Sequence, residues 1–276
     1  LCTIILPFRK YEMQKLPMGL CNSLDIFQEK MSMLMDGLEF VQAYIDSIFV
    51  ITNGSFSDHI KKLGLALESL WSAGLKVNAN KCYFAHPELE YLGYIINHNG
   101  IKPTCKKVEA IHNIAEPKTC KPLHGFIGLV NYYHNMWIRW SHVLAPLMEL
   151  CSKNKEWKWT NVHHKAFHKA NKIVACNVML SYPDFTKEFV IHTDASHTQL
   201  GTVISQDGKP ITFFSRKLNN AQTCYTTTEW ELLSIVKTLK EFRTILLGIK
   251  IVVHIDHINS NLNCTVLSLT DHDYCH

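Results

Sequence analysis

Apolar residues recur along this chain at two spacings, and the alternation between them sets out its elements. Between Ser57 and Ala73, Ile60, Leu63, Leu67 and Leu70 fall three or four apart, the spacing of one helical face, and Gly74 supplies a stop. The clearest such stripe is Leu232, Ile235, Val236, Leu239, Phe242 and Leu246, which predicts a helix over Thr228–Leu247. Shorter helices are predicted over Asp25–Met35 with Ser23 as its cap, Thr104–Ile114, Leu123–Met136 and Val162–Cys176. Strands are predicted at Phe40–Tyr44 and Ile48–Thr52 around Ile45-Asp46-Ser47, and at Leu75–Asn78, Tyr91–Ile96, Phe189–Asp194 and Lys250–Ile255. Thr202–Ser205 and Ile211–Ser215 read as a hairpin, because Asp207-Gly208 between them suits a tight turn. Pro117 and Pro122 bracket a loop, and the tail after Cys264 has no clear pattern.

Strands and helices interleaved in this way make a mixed α+β chain. At 276 residues it has room for roughly two compact domains. Hydrophobic residues at 47 % can fill real cores, which argues against wholesale disorder. No apolar run approaches the roughly 20 residues of a membrane span, so no membrane partner is expected. Without a secretory signal the expected setting is intracellular, and the ten dispersed cysteines are expected to be reduced. They contain no C-x-x-C pair, so a zinc site from closely spaced thiols is not expected. The chain starts at Leu1 rather than Met and is expected to be part of something longer.

The net charge of +4 permits a polyanionic partner without demanding one. Its basic character concentrates in residues 102–124, where Lys102, Lys106, Lys107, Lys118 and Lys121 face only Glu109 and Glu116. Such an excess is either a solvated surface or a contact to phosphate backbone. His163, His164 and His168 share one predicted helix, as metal ligands or as a solvated face.

Three acids carry the candidate chemistry of the C-terminal third. Asp194 closes FVIHT, Asp256 closes IVVHI, and Glu231 lies in the first turn of the long helix. Two strand-end aspartates and a helix-borne glutamate could converge, and clustered carboxylates repel unless divalent cations lie between them. The competing reading makes the aspartates turn residues and Glu231 the partner of Thr228 in a capping box. Glu229 rivals Glu231, and helical phase alone does not separate them.

Read in order, YEMQKLPMGLCNSLDIFQEKM, VQAYIDSIFV, LKVNANKCYF, LEYLGYIINHNGIKP, FIGLVNYYHNMW, VLAPLMEL, IHTDASHTQLGTVISQDGKPITFFSRKLN, TTTEWELLSIV and HIDHINS resemble the reverse transcriptase and RNase H portion of the pol polyprotein of Ty3/gypsy-type LTR retrotransposons. The resemblance covers residues 7–262. It implies a partial polymerase palm over 1–102, a helical thumb and connection over 103–182, an RNase H-like mixed sheet with helices over 183–264, and an unmatched tail, 265–276. It implies an RNA-directed DNA polymerase and ribonuclease H using Mg2+, with Mn2+ as a substitute. The partners implied are an RNA–DNA hybrid, a primer–template duplex and the remainder of the polyprotein. Asp194, Glu231 and Asp256 match the family's catalytic, metal-binding carboxylates, and the Leu-Leu pair after Glu231 favours it over Glu229. The basic 102–124 stretch becomes a backbone contact.

The family's Tyr-x-Asp-Asp hairpin is altered. Asp46 matches the first aspartate and stands as a remnant metal ligand, while Ser47 takes the place of the second. A single carboxylate is a poor scaffold for two cations, so the resemblance implies a polymerase site that has lost its chemistry. Leu24 stands where the family commonly has proline, the fingers are missing, and no fourth RNase H carboxylate is identified, Asp271 and Asp273 lying in the unmatched tail. The alternatives are a non-catalytic nucleic-acid-binding remnant or a decayed reading frame.

Overall fold

The computed structural model describes residues 3–17, 19–152, 155–176 and 178–255, and the backbone of 265–268. The chain forms two compact units, Leu1–Phe84 and Ala85–His276.

The first unit opens with an exposed hairpin, β1 (Thr3–Leu6) and β2 (Arg9–Glu12). Helix α1 (Ser23–Leu34) follows. Contrary to the expectation from sequence, Ser23 does not cap it: Asn22 holds the cap position, and the Ser23 hydroxyl donates to the Pro17 carbonyl at 2.7 Å. Strands β3 (Val41–Tyr44) and β4 (Ser47–Val50) pair antiparallel, and α2 (Phe56–Ser72) starts at Ser55, whose hydroxyl accepts from the Asp58 N–H. Met31, Met35, Val41, Ala66 and Leu70 form the small core between these elements. The strand expected at Leu75–Asn78 is absent. That stretch is loop, with Asn78 initiating a short 3₁₀ turn through its side chain.

The second unit begins with a meander of β5 (Glu88–Tyr91), β6 (Tyr94–Asn97) and β7 (Gly100–Pro103). The single strand expected over Tyr91–Ile96 is therefore two, folded at Leu92-Gly93, and residues 88–103 join the compact unit that follows rather than the one before. Gly100 is required here. Its φ is +149°, and a Cβ would sit 2.0 Å from the Leu180 carbonyl oxygen, which accepts from the Ile101 N–H.

Four helices come next: α3 (Cys105–His112), α4 (Cys120–Asn131), α5 (Trp140–Leu150) and α6 (Asn161–Ala175). Pro122 lies in the first turn of α4, not in a loop. A missing N–H costs nothing there, because first-turn N–H groups have no intrahelical acceptor. Sequence periodicity did not reveal α5, which contains Pro146 and is apolar on most of its surface. Its Trp140, Leu144 and Leu147 pack with Leu123, Phe126 and Phe167 in the larger core of the molecule.

The remaining strands form a five-stranded sheet in the order β10-β9-β8-β11-β12. They are β8 (Phe189–Ala195), β9 (Gln199–Gln206), β10 (Lys209–Lys217), β11 (Lys250–Ile255) and β12 (Thr265–Ser268). β8 and β11 are parallel and the other pairs antiparallel. The tail expected to lack pattern thus supplies an edge strand. Asp207 and Gly208 adopt φ of 50° and 74°, as the tight turn between β9 and β10 requires. The long helix is broken: α7 (Thr227–Glu241) ends at Phe242 and α8 (Arg243–Leu246) follows. A second core, with Phe189, Ile191, Leu200, Ile204, Leu239 and Ile251, lies between α7 and the sheet.

Candidate nucleic-acid interface and carboxylate sites

In the first unit the turn between β3 and β4 is Ile45-Asp46, with Tyr44 opposite Ser47. Gln28 of α1 fixes it, donating to the Ala43 carbonyl at 2.9 Å and accepting from the Ile45 N–H. Ile45 takes φ of 52°, a conformation that β-branched residues avoid. Asp46 is exposed, and Ser47 begins the returning strand with a neutral hydroxyl. Among the described residues no further carboxylate joins Asp46 in a group of metal ligands.

In the second unit the alternation of β8 decides where its acid points. Thr193 is buried, facing α7, and its hydroxyl donates to Glu231 at 3.1 Å. Thr202, opposite Thr193, joins the same face and bonds Thr238 of α7 at 2.8 Å. Asp194 is the next residue and turns to the other face. There it sits opposite Gly201, which is opposite Ser215, and α5 arrives from that side. The Ser141 N–H donates to the Ser215 hydroxyl at 2.9 Å. Just before α5, Arg139 adopts φ of 52° and places its guanidinium on Asp194: Nε donates to Oδ2 at 2.8 Å and a terminal N–H donates to the same oxygen. Both side chains remain more than half or half exposed, at 59 % and 50 %. No sequence pattern announced Arg139, a lone charge inside the apolar run from Met136 to Trp140.

Glu231 is buried, only 6 % exposed. The capping box expected of Thr228 and Glu231 belongs instead to Thr226 and Glu229, two residues earlier. The Glu229 carboxylate accepts from the Thr226 N–H at 2.7 Å, which draws its pKa below the ordinary carboxylate value. The two rivals therefore have different jobs: Glu229 starts the helix and Glu231 faces the sheet. Asp256 lies outside the described residues, as do Asp271 and Asp273. β11 reaches Ile255, whose partner on β8 is Thr193. Among the described residues neither Asp194 nor Glu231 is in a group of three metal ligands, and Arg139 pairs with Asp194.

The basic stretch resolves into two helix starts. Lys106 and Lys107 occupy the first turn of α3, and Lys118 and Lys121 flank the start of α4; all four are exposed. Neither helix has an acidic residue in its first turn or a side-chain cap. Lys102 differs, lying 3.6 Å from Glu88. Of the clustered histidines, His163 closes the start of α6 with Thr160, while His164 and His168 both engage Glu116, the latter at 2.8 Å.

Comparison with known proteins fits these features. Residues 4–96 match the reverse transcriptase (RNA-dependent DNA polymerase) family, and residues 159–253 match the RNase H-like domain found in reverse transcriptase. The fold is similar to that of a foamy viral protease–reverse transcriptase in complex with RNA/DNA hybrid, with a TM-score of 0.80 and 25 % identity over 94 % of this chain and 36 % of that one. A form of that protein in complex with dsDNA gives 0.80, covering 93 % and 54 %. The chain therefore carries a reverse transcriptase region followed by an RNase H-like region, a pairing whose families generally use divalent metals.

More narrowly, the relatives it resembles are Pol polyproteins of gypsy-type retrotransposons. It is 34 % identical over 250 residues to the retrovirus-related Pol polyprotein from transposon 297 of Drosophila melanogaster, covering 90 % of this chain and 24 % of that protein. The transposon gypsy polyprotein of the same organism is 32 % identical, covering 87 % and 24 %. The Tf2-3 polyprotein of Schizosaccharomyces pombe is 30 % identical, covering 84 % and 18 %. The chain thus spans about a quarter or less of the length of these relatives.

Proposed function

We propose that this chain holds an RNA–DNA hybrid or a primer–template duplex within a Pol polyprotein and is not itself the catalytic element. The observation that carries this reading is the pair of basic, uncapped helix starts. The first-turn N–H groups of α3 and α4 lack intrahelical acceptors and carry the positive end of each helix dipole. An anion is the natural partner for such an end, and Lys106, Lys107, Lys118 and Lys121 add full charges where acidic residues would otherwise sit. The duplexes bound by the foamy viral neighbours support the choice of ligand. Ser47 in place of a second hairpin carboxylate, and Arg139 on Asp194, support the absence of chemistry.

A second reading rests on Glu231. It is a buried carboxylate freed from capping duty, on the helix that covers β8. In this reading Asp194, Glu231 and Asp256 hold Mg2+ or Mn2+ for RNase H hydrolysis. Such cations activate water and stabilise the leaving oxygen. It requires Arg139 to release Asp194.

One experiment separates the two. A labelled RNA–DNA hybrid is incubated in Mg2+ with the wild-type chain and with Asp194→Asn, and binding is measured alongside cleavage. Salt-dependent binding by both proteins with no cleavage is expected. Cleavage that Asp194→Asn abolishes would replace the first reading with the second.

A further inference from the structure

We propose that Cys120, His124 and Cys151 form a zinc site that clasps the start of α4 to the end of α5. The site goes beyond duplex holding and does not depend on it. Cys120 is the first residue of α4, His124 lies one turn on along the same face, and Cys151 caps the C-terminus of α5. The two sulfurs and an imidazole nitrogen all lie within 4.8 Å of one another. Tetrahedral zinc holds sulfur ligands about 3.8 Å apart, so side-chain rotations close the remaining gap without moving the helices. Two thiolates and an imidazole are the soft donor set that zinc prefers, and they leave a fourth position for water.

The surroundings suit a cation. Cys120 and Cys151 are half-buried, Cys151 against the core that contains Leu147 and Leu150, and His124 is exposed. Among the described residues no hydrogen bond holds the His124 ring away from the two sulfurs. The positive start of α4 favours a Cys120 thiolate. Thiolate ligation releases thiol protons, so zinc binding weakens as pH falls. A clasp here would steady the segment that carries Lys118 and Lys121, beside Cys120 in the chain.

The test uses the full chain, reduced and stripped of metal, titrated with Co2+ and then Zn2+. One equivalent of Co2+ is expected to give a near-ultraviolet thiolate-to-cobalt absorption, removed by one equivalent of Zn2+. Cys120→Ser and Cys151→Ser are expected to lose that band, and Cys176→Ser to keep it. Should the cysteine variants fail to fold, His124→Gln at its exposed position decides, with an expected fall in affinity of about tenfold or more. The proposal is overturned by a wild-type protein without the band, by a band that Cys120→Ser and Cys151→Ser retain, or by unchanged affinity in His124→Gln.

Discussion

The Arg139–Asp194 pair lends itself to a double-mutant cycle, because two opposed roles for Asp194 make opposite demands on it. Both contacts from Arg139 fall on one oxygen of Asp194, and both side chains are about half exposed. At such a boundary the Coulomb attraction of charges about 4 Å apart lies between about 1 and 4 kcal/mol. Fixing a long side chain and screening by salt offset most of it, leaving about 1 kcal/mol for a pair of this exposure. Arg139→Asn is the useful perturbation, since asparagine tolerates the left-handed φ of 52° that arginine adopts there. Combined with Asp194→Asn, it isolates the pairwise term. Urea unfolding followed by tryptophan fluorescence reads the second unit, which holds every tryptophan except Trp71. The expected coupling is about 1 kcal/mol in 0.1 M salt, falling toward zero in 1 M salt. A coupling near zero at low salt would refute the structural role. So would Mg2+ that stabilises the wild type and not Asp194→Asn, because that identifies the carboxylate as a cation ligand.

Other outcomes follow from the same structure. Replacing Lys106 and Lys107 together by alanine should weaken hybrid binding and flatten its logarithmic salt dependence by about 1.8, if each lysine meets one phosphate. Glu229→Ala should cost about 1 kcal/mol of stability through loss of the capping box, seen in denaturant unfolding. Gly100→Ala should be markedly destabilising, because its Cβ would overlap the Leu180 carbonyl and φ is already +149°; a thermal melt reads it. His192 stacks on His254 at 4.8 Å, and burial first, then His254, depresses its pKa. The unfolded chain thus binds the proton more readily, so stability should be full above the ordinary histidine value near 6.5 and fall as pH drops below it. His192→Gln should flatten that loss in melts recorded across pH 5 to 7.5.

Periodicity located most helices and strands because burial of one face leaves a mark every 3.6 or 2 residues. It failed where that mark is missing. α5 is apolar nearly all round and contains Pro146, so it shows no stripe. Tyr91–Ile96 reads as one apolar run, although Leu92-Gly93 folds it back on itself. The long stripe from Leu232 to Leu246 continues through Phe242 even though the helix breaks there. Thr228 and Thr226 both offer capping hydroxyls, and only the geometry of the first turn chose Thr226, which in turn separated Glu229 from Glu231.

The sequence by itself determined the mixed α+β class, the family and the Asp46-Ser47 hairpin, because long ordered motifs and strand or helix periods are local properties of the chain. Tertiary structure alone decided what the polar groups meet. Thr193 meets Glu231 while the next residue, Asp194, meets Arg139, since adjacent strand residues point to opposite sides. Arg139 reaches Asp194 across 55 positions of chain because α5 docks on the sheet through Ser141 and Ser215. Cys120 and Cys151, with no C-x-x-C spacing to announce them, meet because two helix ends pack together. Contacts between residues far apart in sequence depend on how faces pack, and no local pattern encodes that.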